Sequence, residues 1–399
     1  MILTAKQVIV GDGKTILEKA GIVIQDGKIL KIAPITDVRK EYPEEIVVDY
    51  GERTIIPGYI DMHTHMGCYD GMWDVAQYTS NGYRKGILGL EQTAEAFQHG
   101  VTTIRDAGCP DMLLETLRTM QSYGYAKLPR IYHSNQAIAM TGGHCYRMAI
   151  VTQADGIDGL RTMIRKQIAA GADWIKIMTT HRMETPVEYS QEELNFAVKE
   201  SHRLGKKCFI HAALQPGLQM AIDARPDSIE HGTYMTLDQA QQMIDHNIAW
   251  CPTIASLEFI VPQLMAHEDD SNAFYQIQIK DREYYAKNAQ YIRGRFLELA
   301  NTGIKIIAGT DFDTGYIPSA PVGMELRYWH EFGWDPLKII QAGTYNCAEV
   351  LGIGDKVGLV KEGYQADLVV LGGDPMADMD AYEKIEATYF GGEKVYEKK

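Results

Sequence analysis

The sequence lacks a long apolar run, a basic leader segment and any excess of positive charge, and each absence excludes a class of protein. A helix needs roughly 20 apolar residues to cross a bilayer, and a secretory signal needs a basic segment before its apolar one. The net charge of −14 would repel phosphate backbones and anionic lipid. We therefore expect a cytoplasmic protein that binds neither nucleic acid nor membrane.

Cysteine pairs at metal-binding or redox spacing are also missing. The six cysteines have no Cys-x-x-Cys spacing and are scattered, as Cys68, Cys109, Cys145, Cys208, Cys251 and Cys347. Reduced thiols therefore fit the sequence better than disulfides or a thiolate zinc site.

Both ends of the chain read as short strands separated by turns. Apolar runs with turn punctuation fill residues 1–48, and the C-terminal segment has the same texture, as in Leu368-Val369-Val370-Leu371. Neither end alone is a stable sheet, because few-stranded ribbons are marginal. Because 399 residues exceed one core of average size, a second, smaller domain is expected. We predict a small β-sandwich domain built from residues 1–54 and 357–399.

The centre of the chain alternates strands with amphipathic helices. The predicted strands are 55–62, 101–106, 130–136, 173–178, 207–211, 227–231, 248–252 and 304–309. Helices are predicted over 156–170, 190–204 and 235–246, with Ser190 and Thr236 as N-caps of the last two. Eight βα units are needed to close a barrel of parallel strands, and eight strands are predicted here. We therefore predict a (β/α)8 TIM barrel over residues 55–356.

Residues that can bind metal fall at the ends of the predicted strands. His63 and His65 are two apart on a strand, so their side chains share a face and can hold one cation, although a chance pair on a polar face has the same pattern. In a barrel, functional side chains gather at the C-terminal ends of strands. Four further candidates occupy such ends: Lys176, His211, His231 and Asp311. Four imidazoles and a carboxylate suit Zn²⁺ or a similar divalent metal.

These positions and the C-terminal run Gly363-Tyr364-Gln365-Ala366-Asp367-Leu368-Val369-Val370 resemble the amidohydrolase superfamily along nearly the whole chain. The likeness is to its binuclear-metal branch, which includes imidazolonepropionase and Xaa-Pro dipeptidase (prolidase)-like enzymes. The resemblance implies that the His-x-His pair, the lysine, the two later histidines and the aspartate are metal ligands.

Lys176 distinguishes the branches. An ammonium inside a barrel core is costly unless it is paired or chemically changed. The resemblance implies a carbamate on Lys176, formed from CO2, that bridges two divalent metal ions, with zinc expected. The alternative is a structural lysine paired with a carboxylate.

The resemblance also implies a division of labour. One metal is held by His63, His65, Lys176 and Asp311, and the other by Lys176, His211 and His231. Two cations lower the pKa of water enough for a bridging hydroxide to exist at neutral pH. Asp311 is expected to accept its proton and deliver it to the leaving nitrogen. The alternative for His211 and His231 is that they are core histidines bonded to backbone carbonyls.

Residues expected to face the substrate are fewer. Thr141-Gly142-Gly143-His144 resembles a Gly-Gly-His motif of the same branch, in which the histidine polarises a carbonyl or stabilises an oxyanion. This chain continues with Cys145-Tyr146-Arg147 where many relatives have a small and an acidic residue, and a surface-loop histidine is the alternative. Tyr234 resembles a tyrosine that donates to the scissile carbonyl, with packing under a loop as its alternative.

Arg147 and Arg182 lie beyond strand ends and could bind a substrate carboxylate through paired hydrogen bonds. Solvated loop arginines are the alternative for both.

The leading hypothesis is a hydrolase that cleaves an amide or peptide bond in a small substrate such as a dipeptide or N-acyl amino acid. The alternatives are an imidazolonepropionase-like hydrolase of cyclic amides and a deaminase of an aminated heterocycle. A non-catalytic, assembly-forming relative is a further alternative, although every ligand position is filled here. Relatives of this kind are often homo-oligomers, so we expect one.

Overall fold

A computed structural model describes residues 1–67, 82–146, 148–180, 187–266, 282–311 and 321–399. Its strands are β1 Ile2–Thr4, β2 Gln7–Ile9, β3 Ile16–Glu18, β4 Ala20–Gln25, β5 Lys28–Pro34, β6 Val47–Asp49, β7 Thr54–Pro57, β8 Tyr59–Thr64, β9 Val101–Asp106, β10 Arg130–His133, β11 Ala137–Ala139, β12 Val151–Gln153, β13 Trp174–Met178, β14 Lys207–Ala212, β15 Ser228–His231, β16 Ala249–Cys251, β17 Leu368–Leu371, β18 Ile385–Phe390 and β19 Glu393–Glu397.

The α-helices of the described residues are α1 Ile35–Glu41, α2 Gly82–Glu95, α3 Leu113–Ser122, α4 Gly156–Ala169, α5 Gln191–Arg203, α6 Gly217–Ala224, α7 Leu237–Asp245, α8 Ile254–Ala266, α9 Arg282–Ala300, α10 Val322–Glu331, α11 Pro336–Gly343 and α12 Tyr345–Leu351. In this part of the chain, none of the helices is both long enough and apolar enough to span a membrane.

Strands from both ends of the chain form two sheets, with orders β5-β4-β1-β6 and β19-β18-β17-β7-β2-β3. In the larger sheet the C-terminal β17 pairs antiparallel with β7, and β7 pairs parallel with the N-terminal β2. Alternate side chains of the two sheets enter one buried apolar cluster, which includes Leu3, Ile22, Ile55, Leu368 and Tyr389. Burial of this shared core stabilises strands that would be marginal as separate ribbons.

Contacts divide the chain into two compact units. The first comprises Met1–Asp61, Glu95–Thr103 and Ala320–Lys399, and the second comprises Met62–Ala94 and Ile104–Ser319. The first unit is larger than the predicted terminal domain, because it also holds α10, α11 and α12. A boundary between residues 54 and 55 would cut through β7. The predicted division at residues 54 and 357 therefore stays a prediction.

The expected strand over residues 55–62 is two strands. It breaks at Gly58, where a Cβ atom would lie 2.3 Å from Oγ1 of Thr102. Because only glycine fits against that hydroxyl, the chain leaves the terminal sheet at Pro57 and continues as β8.

The remaining strands form two further sheets. One has the order β10-β9-β8, and the other has the order β12-β11-β13-β14-β15-β16 with every neighbouring pair parallel. Helices connect the consecutive strands from β12 to β16, so the α/β class expected from the sequence is confirmed. The expected strand over 130–136 ends earlier, at His133, and a separate strand, β11, follows it.

Residues 304–309 do not form the regular strand predicted for them. They form one bridge, between Ile306 and Trp250. Hydrogen bonds nevertheless join this segment to a strand on each side, from Ile307 N to Trp250 O at 2.9 Å and from Met62 N to Ala308 O at 2.8 Å. The segment therefore lies between β16 and β8.

Two helix starts agree with the sequence. Ser190 and Thr236 each accept a hydrogen bond from the backbone N–H three residues later, and Glu193 and Gln239 return one to the cap. These capping boxes place the beginnings of α5 and α7.

Candidate metal centre

His63 and His65 end β8 with their imidazoles oriented by the groups behind them. Nδ1 of His63 is 2.7 Å from Oε2 of Glu230, and Nδ1 of His65 is 2.9 Å from the carbonyl oxygen of Gly108. A carbonyl or carboxylate oxygen accepts, so each Nδ1 donates the proton. In a neutral imidazole, Nε2 then carries the lone pair, which is the state that binds a metal.

Both Nε2 atoms face one oxygen of Asp311. Oδ1 lies 3.3 Å from Nε2 of His63 and 3.2 Å from Nε2 of His65. The backbone N–H of Asp311 donates to the carbonyl of His63 at 2.8 Å, which holds this carboxylate at the end of β8. Ligand atoms about 2 Å from one metal are roughly 3 to 3.4 Å apart. With Nε2 unprotonated, these atoms and the carboxylate would repel each other unless a cation lies between them, so the donor set fits a divalent metal.

His231 joins the cluster through a change in strand geometry. It has a positive φ of 68°, which few residues other than glycine adopt, and this turns its side chain away from ordinary alternation. Nδ1 lies 2.7 Å from Oγ1 of Thr253, whose hydroxyl donates to the carbonyl of Pro252. Nδ1 of His231 therefore donates to Thr253, and the same atom lies 3.7 Å from Oδ2 of Asp311. The His211 ring centroid is 4.4 Å from that of His231.

Lys176 is a buried neighbour of His63 in this cluster. Its side chain is buried, and Nζ is 3.4 Å from Nε2 of His63. Within the described part of the chain, no carboxylate oxygen forms an ion pair with Nζ. Burial lowers the pKa of Lys176 to about 8, although the carboxylates of Glu230 and Asp311 act to raise it. A substantial fraction of the amine is therefore neutral near physiological pH.

The protonation states of the other groups also suit a cation. Burial lowers the pKa of His231 to about 3 and holds the pKa of His211 well below its ordinary value. Burial acts to raise the pKa of Asp311, but positive charge on the neighbouring imidazoles, His63 first, holds that pKa well below the usual range, and a bound cation would act in the same direction. The two histidines are thus neutral and the aspartate is ionised at neutral pH.

Glu230 and Arg105 were not identified from the sequence. Both are completely buried; Arg105 donates from Nη2 to Oε1 of Glu230 at 2.8 Å and from Nε to the carbonyl of Met62 at 2.6 Å. Burial acts to raise the pKa of Glu230, but the Arg105 guanidinium and His63 hold it far below its usual range. The signal in the sequence was the polar-apolar-polar order of Ser228-Ile229-Glu230, which puts Ser228 and Glu230 on one face.

A second group of possible ligand atoms comprises His63, Glu230 and Cys251. Glu230 is already bonded to Arg105, and a guanidinium beside a site repels a cation. The cluster of His63, His231 and Asp311 is therefore the better metal site.

His144 follows β11 in a loop that approaches the cluster. Its ring stacks on that of His211, with centroids 4.3 Å apart and planes 29° apart. Its backbone N–H donates to Oε1 of Glu188 at 2.6 Å. Glu188, a buried carboxylate, was also missed by the sequence analysis, since nothing local to residue 188 indicates that it meets residue 144.

Tyr234 contacts α9 in this structure. Its hydroxyl donates to Oδ1 of Asn288 at 2.7 Å, and its ring lies 4.6 Å from that of Tyr291, on α9. Tyr234 therefore packs under α9, as in its alternative interpretation, and its contact with a substrate stays a prediction. The two arginines expected to bind a carboxylate, Arg147 and Arg182, lie outside the described residues.

Comparisons with known proteins find similarity along nearly the whole chain. The amidohydrolase family model matches residues 54–395 of the chain. Ochratoxinase from Aspergillus niger is 26% identical over 426 residues, which cover 97% of this chain and 84% of that protein. Imidazolonepropionase from Symbiobacterium thermophilum is 22% identical over 388 residues, which cover 89% and 84% respectively.

Solved structures extend the likeness to three dimensions. The crystal structure of a Xaa-Pro dipeptidase with methionine bound in its active site has a TM-score of 0.84 and 26% identity, and covers 100% of this chain and 99% of that one. The crystal structure of A. niger ochratoxinase has a TM-score of 0.83 and 24% identity, with coverage of 100% and 95%. The fold is therefore shared over nearly the whole chain.

Proposed function

We propose that this chain, which belongs to the amidohydrolase family, uses divalent metal to hydrolyse the C–N bond of an amide or peptide in a small substrate such as a dipeptide or N-acyl amino acid. The family expected from the sequence is confirmed by the match over residues 54–395. The observation that carries the proposal is the convergence of two Nε2 lone pairs on one Asp311 oxygen, with both Nδ1 atoms already donating. The similarity to a Xaa-Pro dipeptidase and to ochratoxinase supports amide cleavage.

Two metal positions share this cluster in the proposal. The first is held by His63, His65, Lys176 and Asp311, and the second by Lys176, His211 and His231. Divalent cations bound there, with zinc as the expected metal, lower the pKa of a water molecule and polarise the substrate carbonyl.

Lys176 serves both positions as a carbamate. The neutral amine attacks CO2: an N–C bond forms as one C=O π bond breaks, and Nζ loses a proton to solvent, so the side chain gains two oxygens that share one negative charge. Burial of Nζ and its pKa of about 8 support this reaction at neutral pH. A buried lysine with no carboxylate partner among the described residues would otherwise destabilise the core.

The remaining residues handle protons and substrate. Asp311, ionised at neutral pH, accepts a proton from the attacking water and delivers it to the leaving nitrogen. His144 donates to the substrate carbonyl and stabilises the oxyanion that develops there. Tyr234 is proposed to donate a hydrogen bond to the same carbonyl, which requires that its hydroxyl first leaves Oδ1 of Asn288. Arg147 and Arg182 are proposed to bind a substrate carboxylate.

The scaffold proposed for this site is a closed (β/α)8 barrel over residues 55–356, with a β-sandwich from 1–54 and 357–399. Ring closure is supported by the hydrogen bonds of residues 304–309 to β16 and β8, and by the bond from Asp173 N to His133 O at 2.8 Å, which joins β13 to β10. We further propose a homo-oligomer acting on a small molecule.

The experiment is a substrate screen by mass spectrometry after metal loading. Zinc-loaded, bicarbonate-treated enzyme is incubated with dipeptides, N-acyl amino acids, cyclic amides and aminated heterocycles, and bound metal is counted by elemental analysis. Splitting of a dipeptide or acyl amino acid into two products is expected. Ring opening by addition of water, or exchange of an amine for oxygen, would instead assign the chain to the alternatives. Asp311→Asn is the inactive control for contaminating hydrolases.

A further inference from the structure

We infer that Glu188 is a positioning residue, which holds the loop of His144 so that its imidazole stays stacked on His211. We call Thr141-Gly142-Gly143-His144 the histidine loop. The inference rests on the proposed hydrolase function, since it assigns a task to a residue that acts through His144.

The backbone N–H groups of the histidine loop are all hydrogen-bonded. Gly143 N donates to the carbonyl of Met140 at 2.9 Å. The other three donate to side chains of the second compact unit: Thr141 to Asp155 at 2.9 Å, Gly142 to Gln153 at 2.8 Å and His144 to Glu188 at 2.6 Å. The loop thus has outer anchors, Asp155 and Gln153, which are exposed, and one buried anchor, Glu188.

The buried anchor holds the end of the loop that carries the imidazole. The two oxygens of Glu188 accept from two backbone groups, His144 N at 2.6 Å and Met140 N at 3.4 Å. Its own backbone N–H donates to the carbonyl of Thr179 at 2.9 Å, just beyond β13. The carboxylate therefore connects the loop after β11 to the end of the strand that carries Lys176.

Gly143 makes room for this carboxylate. A Cβ atom at residue 143 would lie 2.3 Å from Oε2 and 2.7 Å from Cδ of Glu188, a separation that real Cβ atoms do not show. Gly142 has a different requirement, because its φ is +75° while a Cβ there would meet nothing within 4 Å. Gly142 is thus required by its left-handed backbone conformation, and Gly143 by the close approach of the Glu188 carboxylate.

Loss of the anchor should displace the imidazole without removing any group that touches substrate. In Glu188→Ala two half-buried N–H groups, those of Met140 and His144, lose their acceptor, and a displacement of about 1 Å at a substrate-facing group can cost about 10²-fold in rate. We expect kcat for the hydrolysed dipeptide to fall about 10- to 100-fold. Glu188→Gln keeps an oxygen for His144 N and should retain activity within about threefold of wild type.

Asp155→Ala is the matched control. Asp155 is also a carboxylate that accepts from the same loop, but it is exposed, so water can replace it, and it does not bond His144. We expect its kcat to stay within about threefold of wild type. Gly143→Ala gives an independent test, because it forces Glu188 away. It should reproduce the loss seen in Glu188→Ala and add little when combined with that variant.

A double-mutant cycle separates positioning from general destabilisation. In His144→Ala, the imidazole that Glu188 positions is absent, so adding Glu188→Ala should change kcat by less than about threefold. Metal content and the unfolding midpoint of each variant are measured alongside. A full 10- to 100-fold loss in the His144→Ala background would overturn the inference.

Hydrogen exchange of residues 140–146, followed by mass spectrometry, gives a readout that does not depend on activity. Glu188→Ala should exchange faster in this segment than wild type, while Asp155→Ala should accelerate it less. Unchanged exchange in Glu188→Ala would overturn the inference even if the enzyme is active. If no substrate in the screen is hydrolysed, the proposed function fails, while the exchange data still decide whether Glu188 holds the loop.

Discussion

The two sides of the histidine cluster are built from opposite kinds of groups. The rear side consists of Glu230, Arg105, the Gly108 carbonyl and the Thr253 hydroxyl, which bind the Nδ1 atoms of His63, His65 and His231. His231 also reaches towards the front side, since its Nδ1 lies 3.7 Å from Oδ2 of Asp311. Each imidazole there donates to an acceptor at 2.7 to 2.9 Å, and Glu230 is neutralised by Arg105. The front side faces Nε2 of His63 and of His65. It contains Oδ1 of Asp311, which is 3.2 to 3.3 Å from those two atoms, and the buried amine of Lys176.

This difference supports a division in which the rear side fixes the geometry of the imidazoles and the front side carries the proposed chemistry. The hydrogen-bonding capacity of the rear groups is used within the protein, by the Nδ1 donors and by Arg105. They therefore hold the imidazoles in one tautomer and one orientation without a metal. Front groups are mostly acceptors, which a cation would bind together. In the proposed function the two carboxylates therefore have different tasks: Glu230 orients His63 through its hydrogen bond to Nδ1, and Asp311 is proposed to bind metal and to transfer a proton.

The largest effect is expected on the front side, from Asp311→Asn. The asparagine side chain keeps the shape of the aspartate and one of its oxygens, but it cannot accept the proton of the attacking water. We expect kcat to fall about 10²- to 10⁴-fold while most of the metal is retained. Steady-state kinetics and elemental analysis of the same samples check this. Near-native turnover would remove Asp311 from the proton path.

The next effect tests the carbamate, through Lys176→Ala. Removal of the bridging oxygens should lower bound metal and reduce kcat/KM by about 10²-fold. A short carboxylic acid such as acetate or propionate should restore part of both, because it can fill the place of the carbamate. If Lys176→Ala binds two metals normally and stays active, Lys176 is structural.

A smaller effect is expected on the rear side, from Glu230→Gln. The amide is a weaker acceptor for His63 and leaves Arg105 without its counter-charge, so metal affinity should fall about 10- to 100-fold. When saturated with metal, the variant should keep kcat within about fivefold. Ser228→Ala is the matched control, since Ser228 bonds Glu230 and Arg105 but not His63. Metal titration checks affinity; equal affinities for the two variants would contradict a role for Glu230 in orienting His63.

The smallest effect is a pH dependence of carbamate formation. Because the pKa of Lys176 is lowered to about 8, the neutral, reactive fraction of the amine increases as pH rises, reaches one half near pH 8 and is nearly complete above about pH 9. In metal-free enzyme at constant dissolved ¹³CO2, the initial rate of carbamate formation should rise about tenfold per pH unit below 8 and level off above about 9. Carbon-13 NMR measures it. A rate that still rises tenfold per unit up to pH 10 would indicate an ordinary lysine.

Much of the front side could be predicted from local pattern. The spacing of His63 and His65 puts both on one face of a strand, and Lys176, His211, His231 and Asp311 follow from the rule that functional groups gather at strand ends. The structure brings these residues together. The N-caps Ser190 and Thr236 were equally readable, because a capping box is complete within four residues.

The rear side and the anchor of His144 could not be predicted in this way. Glu230 is 167 residues from His63, and Glu188 is 44 residues from His144. Each pair meets only because separate strands end at one place. The turn of His231 into the cluster requires a positive φ, which strand alternation does not predict. Likewise, the expected strand over 304–309 is reduced to one bridge.

By itself, the sequence determined which side chains share a face, where helices begin and which residue types offer ligands, since periodicity and capping act over a few residues. Only the tertiary structure decided which tautomer each histidine adopts and which of the two carboxylates, Glu230, is neutralised by a guanidinium. Those outcomes depend on hydrogen-bond partners from distant strands, and the position of a distant strand is set by packing of the whole sheet.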